Sequence, residues 1–304
     1  MDNIIVMMTL FIIVIVGFIA GKTGYMGGDF DKRLSNLVID VTCPALILSS
    51  TMGGTLPDRS MIIPLLAAST ITYIILSIVA LTLPRLLTRR KDDEGIVGFA
   101  LMFGNVGFIG YPVVASVFGH EAVFYAAVLN VVNTFAVFTI GTMLVMGGRG
   151  TYRFHKNVLW STPMLAAYLA ITIVALDIDN IPAIVSQPLT IIGQITVPAA
   201  LLIIGSSMSQ LTLRTMLGNR TVYLLTLFRL GLLPLALYFI IGAIGFAPLV
   251  NDINTVVIAM PVATYGTILC LKHGRDATLI TETTFITTLF SVATIPLIAL
   301  LFTT

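Results

Sequence analysis

Apolar residues run along this chain in long blocks, each closed by a short link that carries the charges, and polar side chains are sparse inside the blocks. A block that is apolar on every face has no stripe to offer water, so it belongs in a bilayer. The hydrocarbon core, about 30 Å thick, takes roughly 20 helical residues to cross. Ten blocks meet this, at roughly 3–21, 34–52, 62–84, 95–118, 122–146, 158–176, 187–208, 221–246, 253–271 and 279–302. The pattern predicts an all-α integral membrane protein of ten transmembrane helices, with little chain left for a soluble domain.

Composition strengthens this. Of 304 residues 57% are hydrophobic and 10% charged, and the mean hydropathy is +1.03, whereas about a quarter of a soluble domain is charged. The opening MDNIIVMM carries Asp2 but no Lys or Arg, so it lacks the positive region of a cleavable signal and the first span is expected to be retained. Cys43 and Cys270 lie far apart in apolar surroundings without a ligand spacing, and read as core fillers. No metal, cofactor or nucleic-acid partner is expected; the lipid bilayer is the expected surrounding.

The net charge of +2 says little, but its distribution says more. Lys22, Lys32 and Arg33 follow the first span, Arg85, Arg89, Arg90 and Lys91 the third, and Arg149, Arg153 and Lys156 the fifth. Arg214 and Arg220 follow the seventh, Lys272 and Arg275 the ninth. The opposite links hold only Arg59, and Arg229 lies inside the eighth span. Cytoplasmic links retain positive charge during insertion, so the odd-numbered links are expected in the cytoplasm and both termini outside. The expected location is a bacterial inner membrane.

The chain repeats itself. Thr42-Cys43-Pro44-Ala45 in the second span meets Thr196-Val197-Pro198-Ala199 in the seventh at an offset of 154. FGHEA, Phe118 to Ala122, follows the fourth span as HGRDA, His273 to Ala277, follows the ninth, with Gly119 and Gly274 at an offset of 155. Two matches at nearly one offset divide the chain into five-helix halves, 1–150 and 151–304. An odd number of spans per half turns the second copy upside down, the inverted repeat of secondary transporters.

Within this frame GNVGFIGYP, Gly104 to Pro112, interrupts the fourth span, and AMPVATYGT, with Pro261 and Gly266, interrupts the ninth. Proline lacks an amide proton and glycine tolerates backbone angles that other residues resist, so both segments are expected to unwind. Unwound backbone survives in lipid only where protein, water or ligand supplies partners. Proline also suits the first turn of a restarted helix, which points to free amides around Gly110 and Tyr111, at a positive dipole end favouring an anion. Asn105 is the most polar side chain of the fourth span and can donate to a carboxylate. Pro261, Thr264, Tyr265 and Gly266 in the ninth span and Asn130 in the fifth complete the candidate substrate-binding set with Asn105, Gly110, Tyr111 and Pro112. Asn133, Gln194, Ser206 and Ser207 are further polar positions within spans.

GNVGFIGYPVVASVFG, AMPVATYGT and the Thr-x-Pro-Ala spans together resemble the auxin efflux carrier family, which includes plant PIN-type auxin exporters and bacterial permeases described as malonate or malate carriers. The likeness covers the whole chain, and Asn105, Gly110 and Pro112 match the family's Asn-x-x-x-x-Gly-x-Pro pattern. It implies crossing helices 4 and 9, a scaffold of helices 1, 2, 6 and 7 that often dimerises, and a moving transport domain of helices 3–5 and 8–10. It also implies elevator-like alternating access. Around Pro261 the residues differ from the plant pattern.

Three ionisable residues lie within spans: Asp40, Arg229 and Glu282. Such charges default to a functional reading unless they snorkel to an interface. Arg229 stands about two turns from the cytoplasmic link, where snorkelling, an ion pair with Asp40 or a part in coupling are all open. Asp40 could instead carry a coupling proton, and Glu282 sits near a helix start where an acid is favoured. The coupling ion would be H⁺ or Na⁺. An enzyme is excluded by the lack of any hydrolase motif, with His120, His155 and His273 all in links. The reading is a secondary carrier for a small organic anion, a mono- or dicarboxylate, with an anion channel or a non-transporting sensor as alternatives.

Overall fold

The structure is a computed structural model that describes residues 2–52, 56–147, 160–209 and 220–300. Arg149, Arg153, Lys156, Arg214 and His155 lie outside the described residues. In chain order the helices are α1 Asp2–Lys22, α2 Gly28–Leu37, α3 Cys43–Ser49, α4 Ile62–Thr82, α5 Pro84–Leu87, α6 Glu94–Met102, α7 Tyr111–Phe118 and α8 Ala122–Ala136. There follow α9 Thr142–Met146, α10 Thr162–Ala175, α11 Ala183–Gln194, α12 Thr196–Ser209, α13 Arg220–Leu227, α14 Leu233–Ile244, α15 Pro248–Ile258, α16 Tyr265–Lys272 and α17 Thr278–Leu300. Single π-helical turns at Val38–Thr42, Val137–Gly141 and Phe228–Leu232 join α2 to α3, α8 to α9 and α13 to α14. Among the described residues there is no β-strand.

Five helices among the described residues are long and apolar enough to cross a membrane: Arg59–Thr82, Ala122–Met146, Ala183–Ser206, Arg220–Ile244 and Thr278–Ala299. Ile12–Lys22, Val106–Phe118 and Thr162–Ala175 are apolar but shorter. The fourth and ninth blocks, continuous in hydropathy, each fall into two half-helices, because hydropathy reports what surrounds a backbone and not whether it is wound.

The chain divides into two compact units. The first comprises Met1–Leu65, Gly107–Val131 and Asn157–Leu211, and the second Leu66–Val106, Val132–Lys156 and Thr212–Thr304.

In the first unit α1 runs along α12, and α3 packs on α10 and α11. Lipid tails are as apolar as leucine, so helices there associate through close backbone approach at small residues. Gly17 and Gly205 provide it: a Cβ on Gly17 would stand 2.8 Å from the Leu202 Cα, and one on Gly205 2.6 Å from the Phe18 nitrogen. Asp31, 8% exposed, accepts from the Ser206 hydroxyl at 2.6 Å and from the Gly27 amide at 2.9 Å.

Thr42 and Thr196, the residues matched at an offset of 154, are hydrogen-bonded to one another through their hydroxyls at 2.9 Å, and both are buried. A double-mutant cycle with Thr42→Val and Thr196→Val is expected to give a coupling of about 0.6 kcal/mol, the usual size for interhelical hydrogen bonds in lipid. Additive losses of melting temperature would show that the two hydroxyls act separately. The glycines matched at an offset of 155 both take a positive φ, 92° at Gly119 and 63° at Gly274, which favours glycine.

In the second unit Phe99, Leu101, Met102 and Phe103 of the α6 end are fully buried beside Val262, Leu269 and Ile280. A Cβ on Gly266 would lie 2.6 Å from Phe99 Cε1 and 2.8 Å from Ile280 Cγ1, so only glycine lets α16 lie there. Several of the positively charged links gather in this unit. Arg275 donates to the Asp92 carbonyl, and the Thr221 hydroxyl to the Leu87 carbonyl at 3.1 Å. Asp276 caps α17 by accepting from the Thr278 amide at 2.9 Å, and the Thr278 side chain and amide hold its carboxyl below the usual carboxylate range.

Candidate functional site: paired breaks in two helices

Helix α6 ends at Met102, and Phe103 turns to an extended conformation at φ −112°, ψ 120°. Helix α15 ends at Ile258, and the chain stays unwound until Tyr265. The two unwound segments pair antiparallel at Gly104 and Val262. The Asn105 amide donates to the Pro261 carbonyl at 2.8 Å and the Ala263 amide to the Phe103 carbonyl at 3.1 Å. The Val262 amide, facing the other way, donates to the Thr287 hydroxyl at 3.1 Å. Thus the breaks meet the demand that backbone in lipid be satisfied by giving each other the hydrogen bonds that their helices gave up.

Arg229 satisfies further carbonyls of the two breaks. It sits on the π-helical turn Phe228–Leu232, a feature frequent at functional sites, and is 1% exposed. Its Nε donates to the Met260 carbonyl at 3.1 Å, and its Nη1 to the Leu101 carbonyl at 3.0 Å and the Met102 carbonyl at 3.4 Å. Snorkelling is not realised, since the side chain is buried against these carbonyls. Among the described residues the ion pairs are Arg59–Asp177, Arg85–Glu94 and Arg90–Asp93, and Asp40 itself is exposed. The reason is physical: helix-end carbonyls carry partial negative charge and sit within reach, while a carboxylate at depth would need its own desolvation.

The position of the break also differs from the expectation built on Pro112. A π-helical turn, Val106–Gly110, leads into α7 without interruption, and Gly110 has helical angles of φ −64° and ψ −48°. The restarted helix therefore begins at Val106, and its free amides follow Asn105 rather than Gly110. Pro112 is buried just after the π-helical turn, well inside the restarted helix, and that turn is where the backbone accommodates the amide proton that proline lacks. The glycine spacing revealed the break; its register depended on the pairing with the other segment, which no local rule contains.

Asn105 and Thr264 thus stand at the starts of the two second half-helices. Asn105 is half-buried and Thr264 exposed, and among the described residues neither side chain makes a hydrogen bond. Tyr265 is half-buried with its ring edge-on to Phe138, centroids 4.8 Å apart. Pro261 and Gly266 are buried. These five lie in the second unit.

Gly110, Tyr111, Pro112 and Asn130 lie in the first unit. There the Asn130 amide donates to the Tyr111 hydroxyl at 2.8 Å, with Tyr111 1% and Asn130 9% exposed. Glu282 is half-buried in the first turns of α17. A second buried polar set escaped the sequence reading in part: Tyr73 donates to Asn133 at 2.6 Å, and Asn254 to Thr72 at 3.0 Å. Asn133 was visible as a polar residue in a span; its partner Tyr73 and the Asn254 partner Thr72 were ordinary-looking hydroxyls in adjacent positions on α4.

Interrupted helices paired inside a multi-pass helical protein define a class, the membrane transporters that keep irregular backbone at a substrate site. The chain belongs to the membrane transport protein family, that of the auxin efflux carriers, whose profile matches residues 3–163 and 156–299. It is similar to an uncharacterized transporter of Methanocaldococcus jannaschii, with 26% identity over 300 residues covering 96% of each chain. It is likewise similar to an uncharacterized transporter of Methanothermobacter thermautotrophicus, with 26% identity over 300 residues and 95% of each chain. The protein is therefore a multi-pass membrane transporter and not an enzyme.

Proposed function

We propose that this transporter is a secondary carrier for a small organic anion, a mono- or dicarboxylate, working by elevator-type alternating access. The observation that carries the reading is the pair of free polar side chains, Asn105 and Thr264, at the starts of the half-helices that leave the crossing. A helix start carries about +0.5 elementary charge, so two of them favour a carboxylate. The Asn105 carboxamide and the Thr264 hydroxyl supply donors for its oxygens. Pro261, Tyr265 and Gly266 shape this end of the crossing. Gly110, Tyr111, Pro112 and Asn130, in the first unit, are proposed as substrate-binding residues in their own right, with Tyr111 and Asn130 held by their mutual hydrogen bond.

The architecture that goes with this reading is ten helices in two inverted repeats, 1–150 and 151–304. Helices 1, 2, 6 and 7 form a scaffold and dimer surface, and helices 3–5 and 8–10 the moving part. The Thr42–Thr196 contact and the positive φ of both Gly119 and Gly274 support the repeat. The proposed orientation has both termini outside and the positive links in the cytoplasm of an inner membrane. The grouping of the links around Asp92, Leu87 and Arg275 within the second unit supports it.

Purified protein in liposomes tests the reading. Labelled carboxylate uptake should accelerate when the same unlabelled anion is trapped inside, and should saturate with concentration. Flux that rises linearly and ignores trapped anion would mean a channel, and the carrier reading would be wrong.

A further inference from the structure

The charge of Arg229 has a use that the pairing of the two breaks does not exhaust. Helix α6 and helix α15 both end at the crossing, and each C-terminus carries about −0.5 elementary charge and carbonyls with no partner in their own helix. Together they amount to roughly −1, concentrated where two helices stop inside a membrane protein. The guanidinium, which keeps its charge when buried, answers this with +1 and with hydrogen bonds to carbonyls from both ends, Leu101 and Met102 of one and Met260 of the other. Among the described residues no carboxylate forms an ion pair with it. Gly104 has no side chain because a Cβ there would meet the Arg229 Nη2 and stand 3.1 Å from the Met260 oxygen.

In carriers built on broken helices, the carbonyls of half-helix C-termini and unwound segments are where a dissociable coupling cation is held. Here three of those oxygens, on Leu101, Met102 and Met260, are occupied by a cation on the chain itself. We propose that Arg229 is a tethered cation standing in for a dissociable one, so that the crossing of this protein has no free monovalent-cation site, and removing the guanidinium creates one. The guanidinium holds both helix ends in register whether or not anion is bound. The carbonyls of Leu101, Met102 and Met260 are taken, so sodium finds no seat among them, and anion movement is indifferent to sodium at this point of the fold.

The test is a melting experiment on detergent-purified full-length protein without any anion substrate, so its outcome is separate from that of the carrier reading. Wild type, Arg229→Ala and Arg229→Lys are melted in sodium chloride and in N-methylglucamine chloride at about 150 mM, each with and without about 10 mM guanidinium chloride, far below denaturing levels. Wild type should shift by less than about 1 °C among these conditions, since no site is vacant. Arg229→Ala should melt about 5 °C or more lower and regain at least half of that with guanidinium, and part of it with sodium. Arg229→Lys, which keeps a tethered charge, should lie between the two and ignore sodium. A wild type stabilised saturably by sodium would overturn the proposal, as would an Arg229→Ala that regains nothing from either cation. If Arg229→Ala cannot be purified, wild type and Arg229→Lys still decide: a lysine variant that gains stability from sodium would refute the tethered charge.

Discussion

Replacing Gly205 by valine is expected to lower the melting temperature by about 5–10 °C or to prevent recovery of folded protein. The reason lies in which atoms surround the position. A Cβ there would stand 2.6 Å from the Phe18 nitrogen and 2.9 Å from the Gly17 carbonyl carbon, and both are backbone atoms. A side chain can rotate away from an intruder, whereas a helix backbone can yield only by moving as a body. Valine therefore separates α1 from α12 along the length of their interface. In lipid no hydrophobic force drives the helices back together, so the packing forfeited by separation is not recovered elsewhere. Overpacking costs about 1–3 kcal/mol and more where backbone must shift, and about 2–4 °C of melting temperature follows each kcal/mol in a protein of this size. Gly231→Ala is the control: a Cβ at Gly231 has no neighbour within 4 Å, so its melting point should stay within about 1 °C of wild type. Equal melting of the two variants would mean that the α1–α12 approach does not hold the first unit together.

Much of this fold is written in the chain in a form that simple physics reads. Uniform apolar blocks announced spans, and five of them stand as single long helices, among them Ala122–Met146 and Arg220–Ile244. Thr42 and Thr196, one of the two matches that suggested a repeat, have hydroxyls that touch. What hydropathy could not read is winding. The seventh block begins at Ala183, four residues before the apolar run suggested, because Ser186 and Gln187 are polar yet helical. The π-helical turns, such as Val137–Gly141, leave no compositional trace, since they depend on how a neighbouring helix presses on the turn.

The candidate site was legible in kind and less so in register. Gly104, Pro112 and Pro261 marked two interruptions, and the interruptions pair. Pro112 drew attention to the wrong turn, because a π-helical turn ahead of it lets the helix continue past proline, and the hydrogen bond from Asn105 to Pro261 marks where the break falls. Arg229 stood out as a charge in a span, yet a charge in sequence does not announce its partner. Snorkelling was one open reading, and the partners found within its own unit are three carbonyls, groups that every residue carries and no sequence distinguishes.

Asn105→Ala is expected to remove high-affinity anion binding while leaving the protein folded. The part of Asn105 that supports the fold is its backbone amide, which donates to Pro261 and survives the substitution. The part proposed to touch anion is the carboxamide, which among the described residues has no hydrogen-bond partner. Truncating it therefore takes nothing from the fold and takes one charge-assisted hydrogen bond from the anion. Such a bond contributes about 1.5–3 kcal/mol, so affinity should fall roughly 10- to 150-fold. Thr264→Val should weaken binding in the same direction and by less, since the Thr264 side chain is exposed and its hydroxyl keeps water as a competitor.

The most direct measurement is calorimetric titration of wild type and Asn105→Ala with one carboxylate, chosen as the mono- or dicarboxylate that most raises the melting temperature of wild type. Binding to wild type should saturate, affinity should be at least about 10-fold weaker in Asn105→Ala, and the two proteins should melt at equal temperatures without ligand. Equal affinities in two equally stable proteins would contradict the proposed site, and the paired breaks would then not be where the anion binds.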